Sequence, residues 1–326
     1  MKLNKMREEI ADYFIAGLKK NTLPWRQDWS SVPVLPVSAV TGIPYKGLNS
    51  FWLHVVSSEK NYKDPRWCTF KQANDNGWRI RKGESGTKIE FWSLYDRETK
   101  KTLSYEQVKL LERTLAKEAY QNRLLPVSKV YIVFNAEQIE GIPELAIEHY
   151  LLDEASIVDI RSRLLSGMNV GFVEGEEQAY YTSSKDEIHM PDINRFRSEY
   201  SYLATFFHEA SHATGHKSRL NRDMTGGFGS ETYAKEELRA EVSSAFTAQA
   251  VGISQQDMEH LENHSAYIKA WISILENNPN ELFAAIKDAE KISGYLLEKG
   301  ELNPEKKNRQ MQSKPDIPKK KTGRCR

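Results

Sequence analysis

Tyr202-Leu203-Ala204-Thr205-Phe206-Phe207-His208-Glu209-Ala210-Ser211-His212 sets an HExxH motif at the end of an apolar run that reads as a buried helix. On a helix, residues i and i+4 lie one turn apart on the same face. Both imidazoles can therefore reach one ion at about 2.1 Å, while Glu209 projects beside it. An ion held this way lowers the pKa of a water, and Glu209 is placed to take that water's proton. This is the arrangement of zinc-dependent peptide hydrolysis, with zinc or another divalent metal as cofactor. The same letters also fit two histidines packing on a buried helix, so the remaining ligands decide between the readings.

A catalytic zinc needs a third protein ligand and an open position. An extended HExxHxxGxxH pattern fails here: Gly215 is in place, but the third histidine position is Ser218, and His216 is off the spacing. Further along, Glu236-Glu237-Leu238-Arg239-Ala240-Glu241 opens a second helical run. Glu237 and Glu241 are i and i+4, so one can bind metal while the other supports a ligand imidazole from the outer shell. The expected set is His208, His212 and Glu237 as ligands, Glu209 as general base and Glu241 in outer support. Exchange of Glu237 with Glu241 is the alternative, and a surface pair of i,i+4 carboxylates is the bland reading. The glycine-rich Asn221–Ser230 segment between the helices reads equally as a lid or as a plain connector.

Outward from this centre, the second half carries a helix at Ile157–Leu165 and short strands at Asn169–Val173, Ala179–Thr182 and Glu187–Met190. Helices follow over about 195–216, 231–251, 257–276 and 280–299. Glu187–Met190 is expected to offer an edge for an extended peptide, with His189 packed or solvated rather than a ligand. The first half reads as a small mixed α/β unit. It has an amphipathic helix from Leu3 to Leu18, a proline-rich loop from Asn21 to Asn49, and helices near Asn49 and over Thr69–Asn76. Strands Trp78–Lys82 and Thr87–Tyr95 flank a Gly83–Gly86 turn, and a polar helical excursion over 96–126 leads to strand Lys129–Phe134. The fold class is α+β, with domains at 1–145 and 146–302 and a disordered basic tail at 303–326.

The 326 residues are 39% hydrophobic and 28% charged, a globular composition that excludes collagenous and wholly disordered classes. No stretch is apolar enough to span a membrane and the N-terminus lacks a signal-peptide core, so the expectation is a cytoplasmic protein with no membrane partner. Cys68 and Cys325 are too few and too far apart for a disulfide framework. The net charge of +1 conceals a partition: residues 1–102 hold 18 Lys+Arg against 11 Asp+Glu, residues 303–326 hold 9 against 2, and the middle holds 19 against 32. Basic ends suit phosphate contacts; the acidic body would repel a polyanion.

Within residues 45–92, aromatic residues interleave with cations and amides, the mixture that single-stranded nucleic acid needs for base stacking and phosphate tracking. The candidate contacts are Tyr45, Lys46, Asn49, Arg66, Trp67, Lys71, Gln72, Arg79, Arg81, Lys82 and Lys88. Trp52, Phe70, Phe91 and Trp92 sit in helix or strand patterns and read instead as core.

The chain resembles the ArdC antirestriction family, whose N-terminal domain also occurs in plasmid TraC-type primases. Three N-terminal stretches carry the resemblance: Thr41–Asn49, Trp67–Ala73 and Gly77–Glu84. In the C-terminal half it rests on His208–His216, Ser218–Arg222 and Tyr233–Glu241, and in all it extends from about residue 5 to 300. It implies a single-stranded-DNA-binding domain joined to a zincin-like metallopeptidase domain, encoded on mobile elements such as plasmids and protecting incoming DNA, with an unidentified protein substrate. No primase catalytic segment is visible. Two other readings compete. One is a non-catalytic single-stranded-DNA-binding protein with a structural or degenerate metal site; the other is an ordinary peptidase with a docking domain.

Overall fold

The protein is described by a computed structural model covering residues 3–24, 35–145, 154–227, 229–253 and 265–302. Helix α1 (Lys5–Lys19) starts where the Asn4 side chain accepts the Arg7 N–H, and its 3.6-residue stripe buries Met6, Ile10, Phe14 and Leu18. After β1 (Val37–Ser38), helix α2 (Gly47–Lys60) begins at Gly47, which has φ +54° and donates its N–H to Glu290 at 2.6 Å. A Cβ there would lie 3.0 Å from that carboxylate, so both the backbone and the space favour glycine.

Strand β2 (Arg66–Thr69) leads into α3 (Phe70–Asp75), which is closed by a Thr69–Gln72 capping box, and then β3 (Arg79–Ile80). The long strand β4 (Thr87–Asp96) pairs antiparallel with β6 (Leu124–Asn135) along its whole length. Between them lie β5 (Lys101–Thr102), α4 (Tyr105–Thr114) and α5 (Lys117–Arg123), and neither helix buries a residue. The expected excursion between paired strands is present, and a two-bond Arg123–Asp96 pair at 2.8 and 2.9 Å ties its base.

The five-stranded sheet runs β1-β2-β6-β4-β5. The expected hairpin around Gly83–Gly86 does not form. Instead β3 pairs with β7 (Ile139–Glu140), because Arg81 N–H continues that ladder to the Gln138 carbonyl.

The second half starts with α6 (Glu154–Met168), followed by β8 (Gly171–Glu174), β9 (Tyr180–Thr182) and β10 (Glu187–Met190). Their order is β8-β10-β9, so β10 is the central strand and cannot be the open edge expected of it; β9 is an edge. The burial of Ile188, His189 and Met190 explains that placement. Helices α7 (Glu199–Thr214), α8 (Glu231–Val251), α9 (Ser265–Asn277) and α10 (Asn280–Lys299) complete the fold. Of the helix expected at 257–276, the part before residue 265 lies outside the described residues, as do Cys325 and the tail at 303–326.

Two apolar clusters organise this α+β architecture. One lies under α7 and joins Leu164, Ile188, Tyr202, Phe206, Phe207 and Leu296. The other joins the two halves of the chain: Ile10, Phe14 and Leu18 of α1 and Phe51 of α2 share it with Leu238, Phe246, Trp271 and Ile286. Phe14 is fully buried and stacks on Phe51 with ring centroids 5.5 Å apart. Phe14→Ala should therefore cost about 3–5 kcal/mol, read as a lowered thermal midpoint of the C-terminal helices as well as of α1. Unchanged melting would contradict a shared core.

Candidate metal centre and nucleic-acid interface

Helices α7 and α8 are both capped by serine: Ser198 accepts from Ser201 N–H and Ser230 from Tyr233 N–H. They meet on small buried residues, where Ser211 Oγ donates to Ser243 Oγ at 3.1 Å. That close approach sets the i,i+4 histidines of one helix against the i,i+4 glutamates of the other.

The two Nε2 atoms of His208 and His212 are 3.1 Å apart. Glu237 reaches both, at 3.5 Å from His208 Nε2 and 3.3 Å from His212 Nε2. Ligands at 2.0–2.2 Å from a tetrahedral zinc stand roughly 3.4 Å from one another, so these three edges fit one ion. Among the described residues this is the set of His, Cys, Asp and Glu able to hold a metal, with donor atoms within 4.8 Å of one another.

Behind it, each histidine presents its Nδ1 to a carboxylate. His208 Nδ1 lies 3.1 Å from Glu241 Oε1, and His212 Nδ1 lies 3.3 Å from Glu236 Oε1. Glu236 is in turn gripped by Arg222, whose remaining donors reach Thr214 Oγ1 at 2.6 Å and the Ser211 carbonyl at 2.7 Å. The geometry sets Glu237 between the two Nε2 atoms and Glu241 behind His208 Nδ1. Glu236 and Arg222 were missed. The adjacent Glu236-Glu237 pair was the available signal, since neighbouring helical positions can serve two histidines at different depths.

Burial disfavours a charged imidazole at His212, but Glu236 and Glu237 more than offset it, and the pKa is pushed up to about 9. At His208 the same burial is outweighed by Glu237 and Glu241, and the pKa stands well above the ordinary value. Glu237 itself is held below the carboxylate range, since its bonds to the two histidines exceed the effect of burial. Glu209 is 7% exposed, and burial raises its pKa even though the neighbouring histidines pull the other way and the Tyr181 N–H bonds its carboxylate.

The centre opens into a cleft of about 650 Å³ walled by β9, Pro191, Phe196, the 223–226 loop, Tyr233 and Tyr267. The segment between α7 and α8 is thus both a connector and part of the cleft wall. Tyr233 and Tyr267, also missed, bring their hydroxyls to 3.3 Å from each other. His189 packs against the Tyr180 ring at 4.4 Å and lies outside the cleft lining.

The N-terminal contacts expected from sequence fall into two groups. Lys46, Lys71, Arg79 and Lys82 are exposed, with no ion pair among the described residues. Trp67 is fully buried between β2 and α2, so it is core and not a stacking platform, a correction that follows from its place in the sheet interior. Asn49 spends its amide on the Glu90 backbone, at 2.7 and 2.9 Å, and Gln72 closes the α3 cap. Arg66 is engaged by Asp64 and the Pro143 carbonyl, Arg81 by the Glu137 carbonyl, Lys88 by Glu9, and the half-buried Tyr45 hydroxyl donates to the Trp67 carbonyl.

The opposite correction applies to three rings read as core. Phe70, at the first position of the short helix α3, is 57% exposed, and Phe91 and Trp92 on β4 are 60% and 41% exposed. Trp52 is half-buried and packs in the core as expected.

Residues 4–134 match the family described as the N-terminal domain of anti-restriction factor ArdC, and residues 161–288 match the zincin-like metallopeptidases. The chain belongs to the ArdC antirestriction family. Two crystal structures of the antirestriction ArdC protein from plasmid R388, metal-free and Mn(II)-bound, match this ArdC-family chain with TM-scores of 0.70 and 0.68. Their identities are 28% and 29%, over 91% of this chain and 98% of the R388 chain. A DNA primase TraC of Escherichia coli is 38% identical over 304 residues, covering 89% of this chain and 27% of the primase. The chain thus spans about a quarter of that relative's length. The uncharacterized protein y4eC of Sinorhizobium fredii is 30% identical over 298 residues, 90% of each chain. Among the described residues no helix is long and apolar enough to cross a membrane.

The raised histidine pKa values carry a signed consequence. A group whose pKa lies above the ambient pH holds its proton until metal displaces it. Zinc binding at about pH 7.5 should therefore release roughly two protons per ion, one from each histidine, measured by titration calorimetry in buffers of different ionisation enthalpy. Affinity should rise with pH until His212 deprotonates near about 9. By elemental mass spectrometry Glu237→Ala should lose stoichiometric metal, while Glu241→Ala should bind it roughly 10–100-fold more weakly.

Proposed function

We propose that this ArdC-family chain binds single-stranded DNA through residues 1–145 and hydrolyses peptide bonds at a zinc centre in residues 146–302, acting together to protect incoming mobile-element DNA. One observation carries the peptidase reading: two imidazole Nε2 atoms and the Glu237 carboxylate converge at 3.1–3.5 Å, with Glu209 buried on the same helix at the head of a cleft. Held by His208, His212 and Glu237, the ion would polarise the scissile carbonyl and acidify a water.

The chain's own groups do the rest. Glu209, with its pKa raised by burial, takes the water's proton and returns it to the leaving amine. Tyr233 and Tyr267 supply O–H donors to the oxygen that gains negative charge. The edge strand β9, which lines the cleft, offers backbone pairing to an extended substrate.

The DNA reading is supported by the exposed cations Lys46, Lys71, Arg79 and Lys82, with no ion pair among the described residues, by the exposed Phe70, and by the named relatives. Exposed rings stack bases and cations track phosphates without reading sequence. The acidic body keeps the polyanion on this side of the molecule.

Glu209→Gln should retain zinc yet lose new N-termini formation in a denatured protein mixture, followed by terminal labelling and mass spectrometry. Equal cleavage by the variant would exclude Glu209 as base. Replacing Lys71, Arg79 and Lys82 together by Glu should weaken binding of a labelled single strand and flatten its log–log salt dependence by about 2, at roughly 0.7 per phosphate contact. An unaltered slope would move the DNA site elsewhere.

A further inference from the structure

Among the described residues the cleft lining holds six acidic residues, Glu177, Glu209, Asp223, Glu236, Glu237 and Glu241, and no lysine or arginine. Their charges are not all compensated. Glu236 is neutralised by Arg222 behind it. A divalent ion at the histidines would be balanced by Glu237 and Glu241. Glu209 is occupied with the proton of the reaction. Glu177, from the β8–β9 loop, and Asp223, from the α7–α8 loop, remain exposed at the cleft with no cation paired to them among the described residues.

Asp223 is kept ionised, since it accepts the N–H and hydroxyl of Thr225 at 3.0 and 2.6 Å, which hold its pKa below the usual range. The same cleft wall includes Tyr180, Pro191 and Phe196. Tyr180 is 41% exposed, an apolar surface for a methylene stem and a ring face for a cation.

We infer that this cleft selects a cationic polypeptide segment, one carrying Lys or Arg beside the bond to be cleaved. The inference rests on the peptidase reading and names its substrate class. Acidic carboxylates at the walls attract a basic side chain, an aromatic wall covers its stem, and the same carboxylates reject acidic peptides and nucleic acid. The DNA-binding face and the cleft therefore take partners of opposite charge. A basic protein seated on DNA satisfies both.

The test uses full-length Glu209→Gln loaded with zinc, which binds without cutting. Three fluorescein-labelled peptides of one length are compared by anisotropy: one rich in Lys and Arg, one with Gln at those positions and one with Glu. The basic peptide should bind roughly tenfold more tightly than the Gln peptide, with a gap that narrows as salt rises. Adding Glu177→Lys and Asp223→Lys, which touch neither metal ligand nor base, should remove the gap while zinc content stays constant.

Equal affinity for the three peptides, no binding of any, or a basic preference that survives the double substitution would overturn the inference. Failure of the peptidase reading looks different: wild-type protein would bind the basic peptide selectively and leave it uncut. Cleavage of basic and Gln peptides at equal rates would overturn the substrate class and leave the peptidase reading intact.

Discussion

The close approach of α7 and α8 is the constraint on which the rest of this protein depends. It requires small residues where the helices touch, and Ser211 and Ser243, bonded across that contact, are fully buried there. Bulkier side chains would separate the axes, and the three donor atoms would no longer share one point. The layers around the pair serve this contact. The cluster of Tyr202, Phe206 and Phe207 presses α7 from one side, and α10 supports α8 from the other, partly through Arg239 bound to Asp288 and Glu281. The carboxylates behind each imidazole then fix its ring orientation, which is how outer groups tune a metal site.

A consequence of the shared core is that the two halves are not beads on a string. Helix α1 packs its apolar stripe against α9 while Arg7 reaches Glu90 on β4 at 2.7 Å, so one short helix touches both the C-terminal bundle and the large sheet. Glu290 of α10 closes the start of α2 in the same way. Charge, by contrast, is kept apart: Lys71, Arg79 and Lys82 on and after α3 and β3 are exposed with no ion pair among the described residues, and carboxylates line the cleft. That separation gives the two surfaces fields of opposite sign.

The aromatic residues of the first half show where pattern reading stops. Trp67, in a short strand among cations, has the neighbours of a stacking residue, yet pairing of β2 with both β1 and β6 puts it inside. Phe91 and Trp92 have the neighbours of core residues, yet they are exposed on β4. Alternation along a strand tells which residues share a face, but coverage of that face depends on the length and position of another element. Asn49 and Gln72 likewise have the chemistry of nucleic-acid contacts, and local bonds to backbone use that chemistry up.

By itself the sequence determined the helix carrying His208 and His212, the i,i+4 carboxylates downstream, the position of Glu209 between the histidines, and the division of charge along the chain. These follow from local rules: helical periodicity places residues on a face whatever the fold, and charge adds along the chain. Only the tertiary structure decided that Glu236 stands behind His212 and Glu241 behind His208, and that β9 rather than β10 is an edge. It alone decided which rings remain exposed. Each of these depends on how two segments distant in sequence approach one another, and that approach is governed by packing across their interface rather than by any pattern within either segment.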